Sequence, residues 1–581
     1  MSATSRLAGR LAGLRPPEHS EVAVERDLAV AAEDGAVLLA DRWFPAVVGK
    51  DLPLVLVRSP YGRRTLDLVG RVLAERGYQV VVQSVRGTFG SGGTWDPFRN
   101  ERVDGLATLR WLSTRPWWPG RVGTFGPSYL GLTQWALADG GPEDLAAVAL
   151  SVTSSSFRDS VVYPGGSFTL ETGATWINLL LHQEAGWRRA LWAQLWARRG
   201  LTPAYTTLPL SRADEAAFGR TVGYYQDWLE HERPGDPWWG AADFSGGTGR
   251  MPPASMVAGW YDIFLPYQLD DYAALRAAGR QVRLTIGPWT HSSLRLSAVA
   301  LAEALDWFDT HLARRDASGG RPRPRPRPGV ARGAPRRPAP EQTNAVRLRL
   351  VGRRGWVDLD GWPPPADTVR WHLHGDGGLR RAGPDYAEPT RYRFDPADPA
   401  PGIGGASLSP SNAGRRDQRR RESRADVAVW TSDPVPGGFV LAGPLTAEIW
   451  LRSSNWCTDV SVRLCTVGPS GGSLNLSDGI LRLELSAEGE VVSVGAAVDG
   501  EVTGAGDGAV RVGVRMWPVG VELGTGERLR VQVSGGAHPL FARNLGGGER
   551  LGRATHLVPA DHEILHDPQR PSALLLPHAR L

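Results

Sequence analysis

The stretch Gly123–Gly131, GTFGPSYLG, places a serine at the corner between an apolar run and a helical segment. Asp262 directly follows the apolar run SMVAGWY, and His291 follows RLTIGPWT. Attack on an ester or amide carbonyl needs a hydroxyl, a base that takes its proton, and a carboxylate that orients the base. In α/β sheets these groups follow strand ends in the chain order Ser, Asp, His. The pattern predicts Ser128 as nucleophile, His291 as base and Asp262 as the orienting acid.

Two other interpretations compete with this triad. A serine just before a helix is also a common N-cap, where its side chain accepts a backbone hydrogen bond. The usual motif is G-x-S-x-G, and here the second glycine comes one place late, as Gly131 rather than residue 130. Asp270 and Asp271 are alternative carboxylates, but they fall inside a predicted helix, where we expect them to be solvated.

Elements that would position these side chains alternate along the first part of the chain. Continuous apolar runs bounded by turn residues indicate strands buried on both faces, and helical segments lie between them. Such alternation is typical of a parallel sheet covered by helices. The predicted strands are Leu52–Pro60, Tyr78–Gly87, Arg121–Gly126, Ala254–Asp262 and Gln281–His291, and the predicted helices are Thr65–Gly77, Asn100–Arg115 and Ser297–Arg315.

Composition changes along the chain predict further domains. Residues 154–250 are tryptophan-rich with helical periodicity, which indicates a helical cap inserted between residues 1–153 and 251–318 of the α/β domain. Residues 319–343 form an Arg/Pro-rich linker, because alternating proline removes backbone donors and like charges repel. Residues 344–581 contain many short alternating segments separated by turn residues, the pattern of a jelly-roll β-sandwich.

Charge and targeting patterns exclude several classes. The pI is about 9.4, but Arg321–Pro340 holds seven arginines and no acid, and without it the formal charge is −2 rather than +5. The basicity is therefore a local tract and predicts no nucleic-acid partner. Lys50 is the single lysine, and its surroundings exclude a P-loop. No run predicts a membrane span or a secretory signal, so we expect a cytoplasmic protein without a membrane partner.

Several motifs together resemble one family. GPSYLGLTQ, VRSPYGRR, VRGTFGSGG, GWYDIF and GPWTH occur in an order and rough spacing similar to those of CocE/NonD hydrolases, the group of cocaine esterase and X-Pro dipeptidyl-peptidases (S15). In that family the serine motif is G-x-S-Y-x-G, which matches the late glycine. The resemblance covers nearly the whole chain. It implies an α/β-hydrolase domain with an inserted helical cap, followed by a C-terminal β-sandwich (jelly-roll) domain.

The resemblance also assigns roles beyond the triad. It implies that the Tyr61 hydroxyl and the backbone N–H of Tyr129 stabilise the oxyanion. The family's arginine loop reads D-x-R-G, and Ser84 stands where the acid would be, so we expect this loop to be either looser or held differently. Aromatic walls suit apolar ligands, and Trp176 and Trp187 are candidates for lining an acyl pocket.

The predicted activity is hydrolysis of a small-molecule ester or amide through an acyl-enzyme, with no metal or organic cofactor. The resemblance also allows a homo-oligomer. An esterase or acylase is favoured over an X-Pro dipeptidyl-peptidase, which needs cap acids to hold a substrate ammonium. Glu171, Glu184 and Glu230 are the candidates for that role. A non-catalytic binding protein on a hydrolase fold is the alternative from another class. The acyl group, leaving group and oligomeric state are left open.

Overall fold

The computed structural model describes residues 3–46, 52–184, 200–312, 345–455, 457–485, 491–494, 503–504 and 508–581. Within these ranges the N-terminal half builds a ten-stranded mixed sheet. Its strands are β1 (Val22–Ala31), β2 (Val37–Pro45), β3 (Leu54–Ser59), β4 (Gln79–Ser84), β5 (Val122–Pro127), β6 (Leu145–Ser151), β7 (Ala254–Tyr261), β8 (Val282–Thr290), β9 (Val346–Leu348) and β10 (Val357–Leu359).

The strand order is β1-β2-β4-β3-β5-β6-β7-β8-β9-β10. The seven central strands, from β4 to β9 along this path, are parallel to one another. At the two edges the pairs β1–β2, β2–β4 and β9–β10 are antiparallel. Strands β3 to β7 are almost wholly buried, as their continuous apolar runs predicted. Because the central strands are parallel, their carboxyl ends share one edge of the sheet.

Helices cover this sheet and form the insertion. The α-helices in chain order are α1 (Ala3–Leu11), α2 (Asp67–Ala74), α3 (Glu101–Ser113), α4 (Tyr129–Asp139), α5 (Leu170–Gln183), α6 (Thr202–Thr206), α7 (Ala213–Phe218), α8 (Gly223–Glu230), α9 (Leu265–Ala277), α10 (Leu294–His311) and α11 (Arg419–Glu422). Shorter 3-10 or π-helical turns lie at Arg64–Leu66, Arg158–Val162, Pro164–Gly166, Leu210–Arg212, Pro237–Ala242 and Ser245–Arg250.

The insertion between β6 and β7 contains α5 to α8, and in the described residues these helices and short helical turns are joined by loops. Its first and last segments lie side by side, because the N–H of Phe244 donates to the carbonyl of Ser155 at 2.9 Å. The Asp271 carboxylate on α9 accepts hydrogen bonds from the N–H of Ser155 at 2.7 Å and from its hydroxyl at 2.6 Å. The base of the insertion is thereby tied to the catalytic domain.

The C-terminal half folds into an antiparallel sheet that forms a nearly closed β-sandwich. Its main path is β12-β11-β23-β15-β20-β17-β16-β21-β14. The strands are β11 (Ala366–Leu373), β12 (Leu379–Arg380), β13 (Thr390–Phe394), β14 (Val427–Thr431), β15 (Phe439–Ser453), β16 (Cys457–Val467), β17 (Ser473–Leu485), β18 (Val491–Val494), β19 (Thr503–Gly504), β20 (Val510–Leu523), β21 (Arg528–Ser534), β22 (Ala560–Leu565) and β23 (Ala573–Ala579).

The first sheet continues past residue 344, where the sequence placed the start of the jelly roll. Val346–Leu348 pairs in parallel with Val282–Thr290, and Val357–Leu359 pairs with Val346–Leu348. Short runs of this kind are compatible with either sheet, so their composition does not say which one they join. The predicted linker at residues 319–343 lies outside the described residues.

Candidate active site

Ser128 occupies a strained turn between β5 and α4. Its φ and ψ are 58° and −123°, and its N–H donates to the carbonyl of Ser151 at 2.9 Å. A non-glycine residue at such angles costs on the order of 1–3 kcal/mol and persists where the surrounding structure enforces it. The Ser128 side chain makes no capping hydrogen bond to α4. The geometry is therefore that of a nucleophile elbow, and the N-cap interpretation does not describe this serine.

Close packing explains the two glycines around the serine. Gly126 has a φ of 153°, and a Cβ there would lie 2.3 Å from the Cβ of Leu130. A Cβ on Gly131 would lie 2.4 Å from the Cγ2 of Thr153, just beyond β6. The second glycine is thus required at residue 131 because this turn of α4 meets the segment after the neighbouring strand.

Asp262 and His291 follow the adjacent strands β7 and β8 and face each other. The Asp262 Oδ2 lies 2.6 Å from the Nδ1 of His291, and the side chain of Asp262 is fully buried. The other carboxylate oxygen accepts the N–H of Phe264 at 2.9 Å. This pair fixes the imidazole so that its Nε2 is directed away from the carboxylate, which is the orientation a general base requires.

Tyr61 lies in the turn after β3, beside Ser128. The indole N–H of Trp176 on α5 donates to its hydroxyl oxygen at 3.1 Å. Burial raises the pKa of the Tyr61 hydroxyl to about 12, and hydrogen bonds with Trp176 and Ser128 act in the opposite direction. The phenol therefore keeps its proton at neutral pH. Because Trp176 occupies one lone pair, the phenol proton is available to another acceptor.

Ser128 opens into a cavity of about 440 Å³, including its mouth, between the sheet edge and the cap. Aromatic and aliphatic side chains form its walls, and no charged residue lines it among the described residues. Trp176 stacks on Trp228 with ring centroids 5.9 Å apart. The lining residues are Tyr61, Phe98, Ser128, Tyr129, Leu132, Phe157, Val161, Val162, Phe168, Thr169, Thr172, Gly173, Trp176, Trp228, Ile263, Phe264 and Leu408.

Phe264 connects the cavity that contains Ser128 with His291. Phe264 lines it, and the Phe264 ring centroid lies 5.7 Å from that of His291. No hydrogen bond joins the Ser128 hydroxyl to His291 in the described part of the chain, where this hydroxyl bonds with Tyr61 instead. Catalytic hydrogen bonds of this kind are often loose without substrate and tighten in the Michaelis complex.

Tyr129 contributes its backbone and its side chain differently. Its amide begins α4, where the first N–H groups have no intrahelical acceptor and the helix dipole favours negative charge. Its hydroxyl is buried and donates to the Glu101 carboxylate at 2.7 Å. Arg58 pairs with the same carboxylate at 2.7 Å. Burial and Glu101 raise the pKa of the Tyr129 hydroxyl well above its usual value. This network anchors the residue after Ser128.

The arginine loop is held by acids other than the one missing at Ser84. Arg86 forms two hydrogen bonds with Asp104, at 2.6 and 3.1 Å, and two with Asp34, at 2.6 and 3.2 Å. The Ser84 hydroxyl accepts a hydrogen bond from Arg63 at 3.0 Å. Two acids from elsewhere in the chain thus hold Arg86.

None of the three cap glutamates lines the cavity. Buried Glu171 accepts hydrogen bonds from Ser407 at 2.5 Å and from Asn412 at 3.2 Å, both in the C-terminal domain. Glu184 accepts the N–H of Phe89 at 2.9 Å. Glu230 forms an ion pair with Arg550 at 2.6 Å. Trp187, the second predicted pocket residue, lies outside the described residues.

Two residues near the site were missed by sequence reasoning. Asp271, expected to be solvated, is buried at the base of the cap, and its pKa is raised to about 7, chiefly by burial. Trp517 of β20 donates its indole N–H to the carbonyl of Asp262 at 2.9 Å. The sequence does carry one signal for Trp517, because Pro518 inside a strand pattern indicates a bulge.

Other potential functions receive no support from the described residues. They contain no group of three or more His, Cys, Asp or Glu side chains arranged to hold a metal ion. No helix within the described ranges is long and apolar enough to cross a membrane. Cys457 and Cys465 are free thiols.

Comparisons with known proteins agree with this geometry. A family model described as X-Pro dipeptidyl-peptidase (S15 family) matches residues 34–293, and one described as the X-Pro dipeptidyl-peptidase C-terminal non-catalytic domain matches residues 339–575. The cocaine esterase of Rhodococcus sp. (strain MB1 Bresler) is 29% identical over 601 residues, which cover 95% of this chain and 98% of that enzyme.

Solved structures show the same architecture. An α-amino acid ester hydrolase superposes with a TM-score of 0.75 at 19% identity, covering 97% of this chain and 98% of that one. An aminopeptidase from a marine sediment archaeon, Thaumarchaeota archaeon, gives a TM-score of 0.73 at 21% identity over 96% of both chains. At these identities the likeness shows the fold alone.

The fold is that of an α/β-hydrolase with a helical cap and a C-terminal β-sandwich, and the protein is a serine hydrolase of ester or amide bonds. The chain belongs to the CocE/NonD hydrolases, the group of cocaine esterase and the S15 peptidases.

Proposed function

We propose that this protein is an esterase or acylase in which Ser128 is the nucleophile. His291 takes the serine proton during attack and returns it to the leaving group, while Asp262 fixes the imidazole tautomer and supports its positive charge. The 2.6 Å contact between Asp262 and His291 and the strained turn at Ser128 support these roles. The acyl-enzyme is then hydrolysed by water, activated through the same imidazole.

The Tyr61 hydroxyl and the Tyr129 amide stabilise the oxyanion in this mechanism. Negative charge develops on the carbonyl oxygen in the tetrahedral intermediate, and each fixed donor there lowers the barrier by about 3 kcal/mol. Tyr61 suits this role because its hydroxyl is protonated at neutral pH and lies within hydrogen-bond reach of Ser128. Tyr129 suits it because its amide stands at the start of α4.

The uncharged lining of the cavity is the observation that favours an apolar acyl group over a dipeptide. A free substrate ammonium buried among aromatic walls would require a carboxylate, because an unpaired buried charge costs several kcal/mol. Glu171, Glu184 and Glu230 are bound elsewhere, and the other lining groups are neutral. The stacked Trp176 and Trp228 present flat apolar surfaces that suit an aromatic or branched acyl group.

Covalent labelling tests the nucleophile. Incubation of the full-length protein with a fluorophosphonate probe, followed by tryptic mass spectrometry, should place the adduct on the peptide that contains Ser128. Ser128→Ala should fold with an unchanged Tm and take no label. Ser151, the last residue of the parallel strand β6, provides the matched control, and Ser151→Ala should be labelled like the parent. Label on another residue would overturn the assignment of Ser128, and no label on folded protein would favour a binding protein.

A substrate panel then separates the two activities. We expect p-nitrophenyl esters with aromatic or branched acyl groups to give a higher kcat/KM than Xaa-Pro p-nitroanilides. The reverse order would identify an X-Pro dipeptidyl-peptidase, the activity after which the matching family is named. A small-molecule substrate, a cytoplasmic location and a homo-oligomer stay predictions that cell fractionation and light scattering can test.

A further inference from the structure

The C-terminal sandwich reaches the loop that carries Asp262 through one strand, β20. Arg515 of β20 binds Asp270 at 2.6 and 2.8 Å, on the helix that starts three residues after Asp262. Further along the strand, Gly520 lies so close to Trp260 that a Cβ would approach its ring to 2.2 Å. The strand therefore contacts the catalytic domain on both sides of Asp262.

Trp517 lies between these two contacts and is aimed at the catalytic domain by a bulge. In the pairing of β15 with β20, Gly443 lies opposite Val519 and Leu445 opposite Met516, so Pro444 alone faces two residues, Trp517 and Pro518. A bulge interrupts the alternation of side chains and redirects one of them. Met516 packs in the sandwich core, whereas Trp517 packs with the core of the first domain.

The indole N–H of Trp517 completes the hydrogen bonding of Asp262. It donates to the Asp262 carbonyl at 2.9 Å in a buried environment. The carbonyl of Trp517 is itself held by the Ser477 hydroxyl at 2.6 Å. The Asp262 carbonyl also accepts the N–H of Leu265 at 3.3 Å, so loss of the shorter Trp517 bond should let it move towards that donor, and small displacements of a catalytic group are costly. The sandwich thus restrains the backbone that presents the carboxylate to His291.

We infer that Trp517 is a positioning residue of the active site, through which the C-terminal domain holds Asp262 in register with His291. This inference rests on the proposed role of Asp262 as the triad acid. It goes beyond a merely structural role for a domain described in its family as non-catalytic. Removal of the indole N–H should lower kcat about tenfold and leave KM within about twofold, because substrate binding does not involve Asp262.

The test compares two tryptophans of the same domain. Trp517→Phe removes the bond to Asp262, and Trp430→Phe removes an equivalent buried bond, from an indole N–H to the His374 carbonyl at 3.0 Å. We expect kcat to fall in Trp517→Phe and to stay within about twofold in Trp430→Phe. Replacing Trp517 with benzothienylalanine, which keeps the ring shape without the N–H, gives the same readout if phenylalanine impairs folding. Equal kcat values for the Trp517→Phe and Trp430→Phe variants would overturn the inference.

The same Trp517→Phe substitution in an Asp262→Ala background shows whether its effect on kcat depends on Asp262. Asp262→Ala should lower kcat by about 10⁴-fold, and Trp517→Phe should then cost less than twofold more, since no carboxylate is left to position. A full tenfold cost in the Asp262→Ala background would show that Trp517 acts by another route. An Asp262→Ala variant of normal activity would instead refute the proposed triad, so the two failures are distinguishable.

Discussion

The hydrogen bond from Trp176 to Tyr61 allows the proposed role of Tyr61 as an oxyanion donor to be tested. The indole N–H occupies one lone pair of the Tyr61 hydroxyl at 3.1 Å and so restricts the directions in which the phenol proton can point. Tyr61→Phe removes the donor itself, whereas Trp176→Phe removes only the group that orients it. If the reasoning is correct, the two substitutions act on the same step and their effects do not multiply.

The structure allows the expected loss of kcat to be calculated for each substitution. Loss of one oxyanion donor costs about 3 kcal/mol, which is roughly 150-fold in kcat. A neutral buried hydrogen bond contributes about 1 kcal/mol, so loss of the Trp176 bond should cost about 5-fold in excess of any packing change. Because the pKa of Tyr61 is about 12, its hydroxyl is protonated throughout the range from about pH 6 to 9. The Tyr61→Phe loss should therefore be the same across that range.

The parent, Tyr61→Phe, Trp176→Phe and the double variant form a double-mutant cycle. Steady-state hydrolysis of one p-nitrophenyl ester by each of the four proteins measures these losses of kcat. Trp176→Phe should lower kcat about 5-fold more in the parent than in the Tyr61→Phe background. Trp228→Phe is the matched control, because Trp228 stacks on Trp176 in the same cavity, and it should cost the same factor in both backgrounds. An equal cost of Trp176→Phe in both backgrounds would refute the orienting role, and an active Tyr61→Phe would refute Tyr61 as a donor.

Two further predictions concern stability. Asp271 titrates near 3.8 when unfolded and near 7 when buried, so between these values the folded protein holds the extra proton and loses about 1.4 kcal/mol of stability per pH unit as pH rises. Asp271→Asn should remove that part of the slope of Tm between about pH 5 and 7 in scanning calorimetry, and parallel slopes would contradict it. Gly131→Ala should lower Tm because its Cβ would meet Thr153 at 2.4 Å. Gly223→Ala, with open space, should raise Tm or leave it unchanged.

The sequence by itself determined the local features of the site. A continuous apolar run, a serine between glycines and an Ala- and Leu-rich segment predict a strand, a sharp turn and a helix, which are β5, Ser128 and α4. The ends of two later apolar runs placed Asp262 and His291 after β7 and β8. These features are recoverable because periodicity and turn chemistry act between residues that are neighbours along the chain.

Tertiary structure alone decided which distant groups meet. Asp262 lies just before α9 and Asp271 lies in the middle of it, yet one pairs with His291 and the other binds Ser155. Glu171 carries a carboxylate that could bind a substrate ammonium, but Ser407 of the C-terminal domain donates a hydrogen bond to it instead. Trp517 reaches Asp262 across 255 residues of chain, because a bulge reverses the face of one side chain. Contacts of this kind depend on register and packing between elements, which no spacing within a single element records.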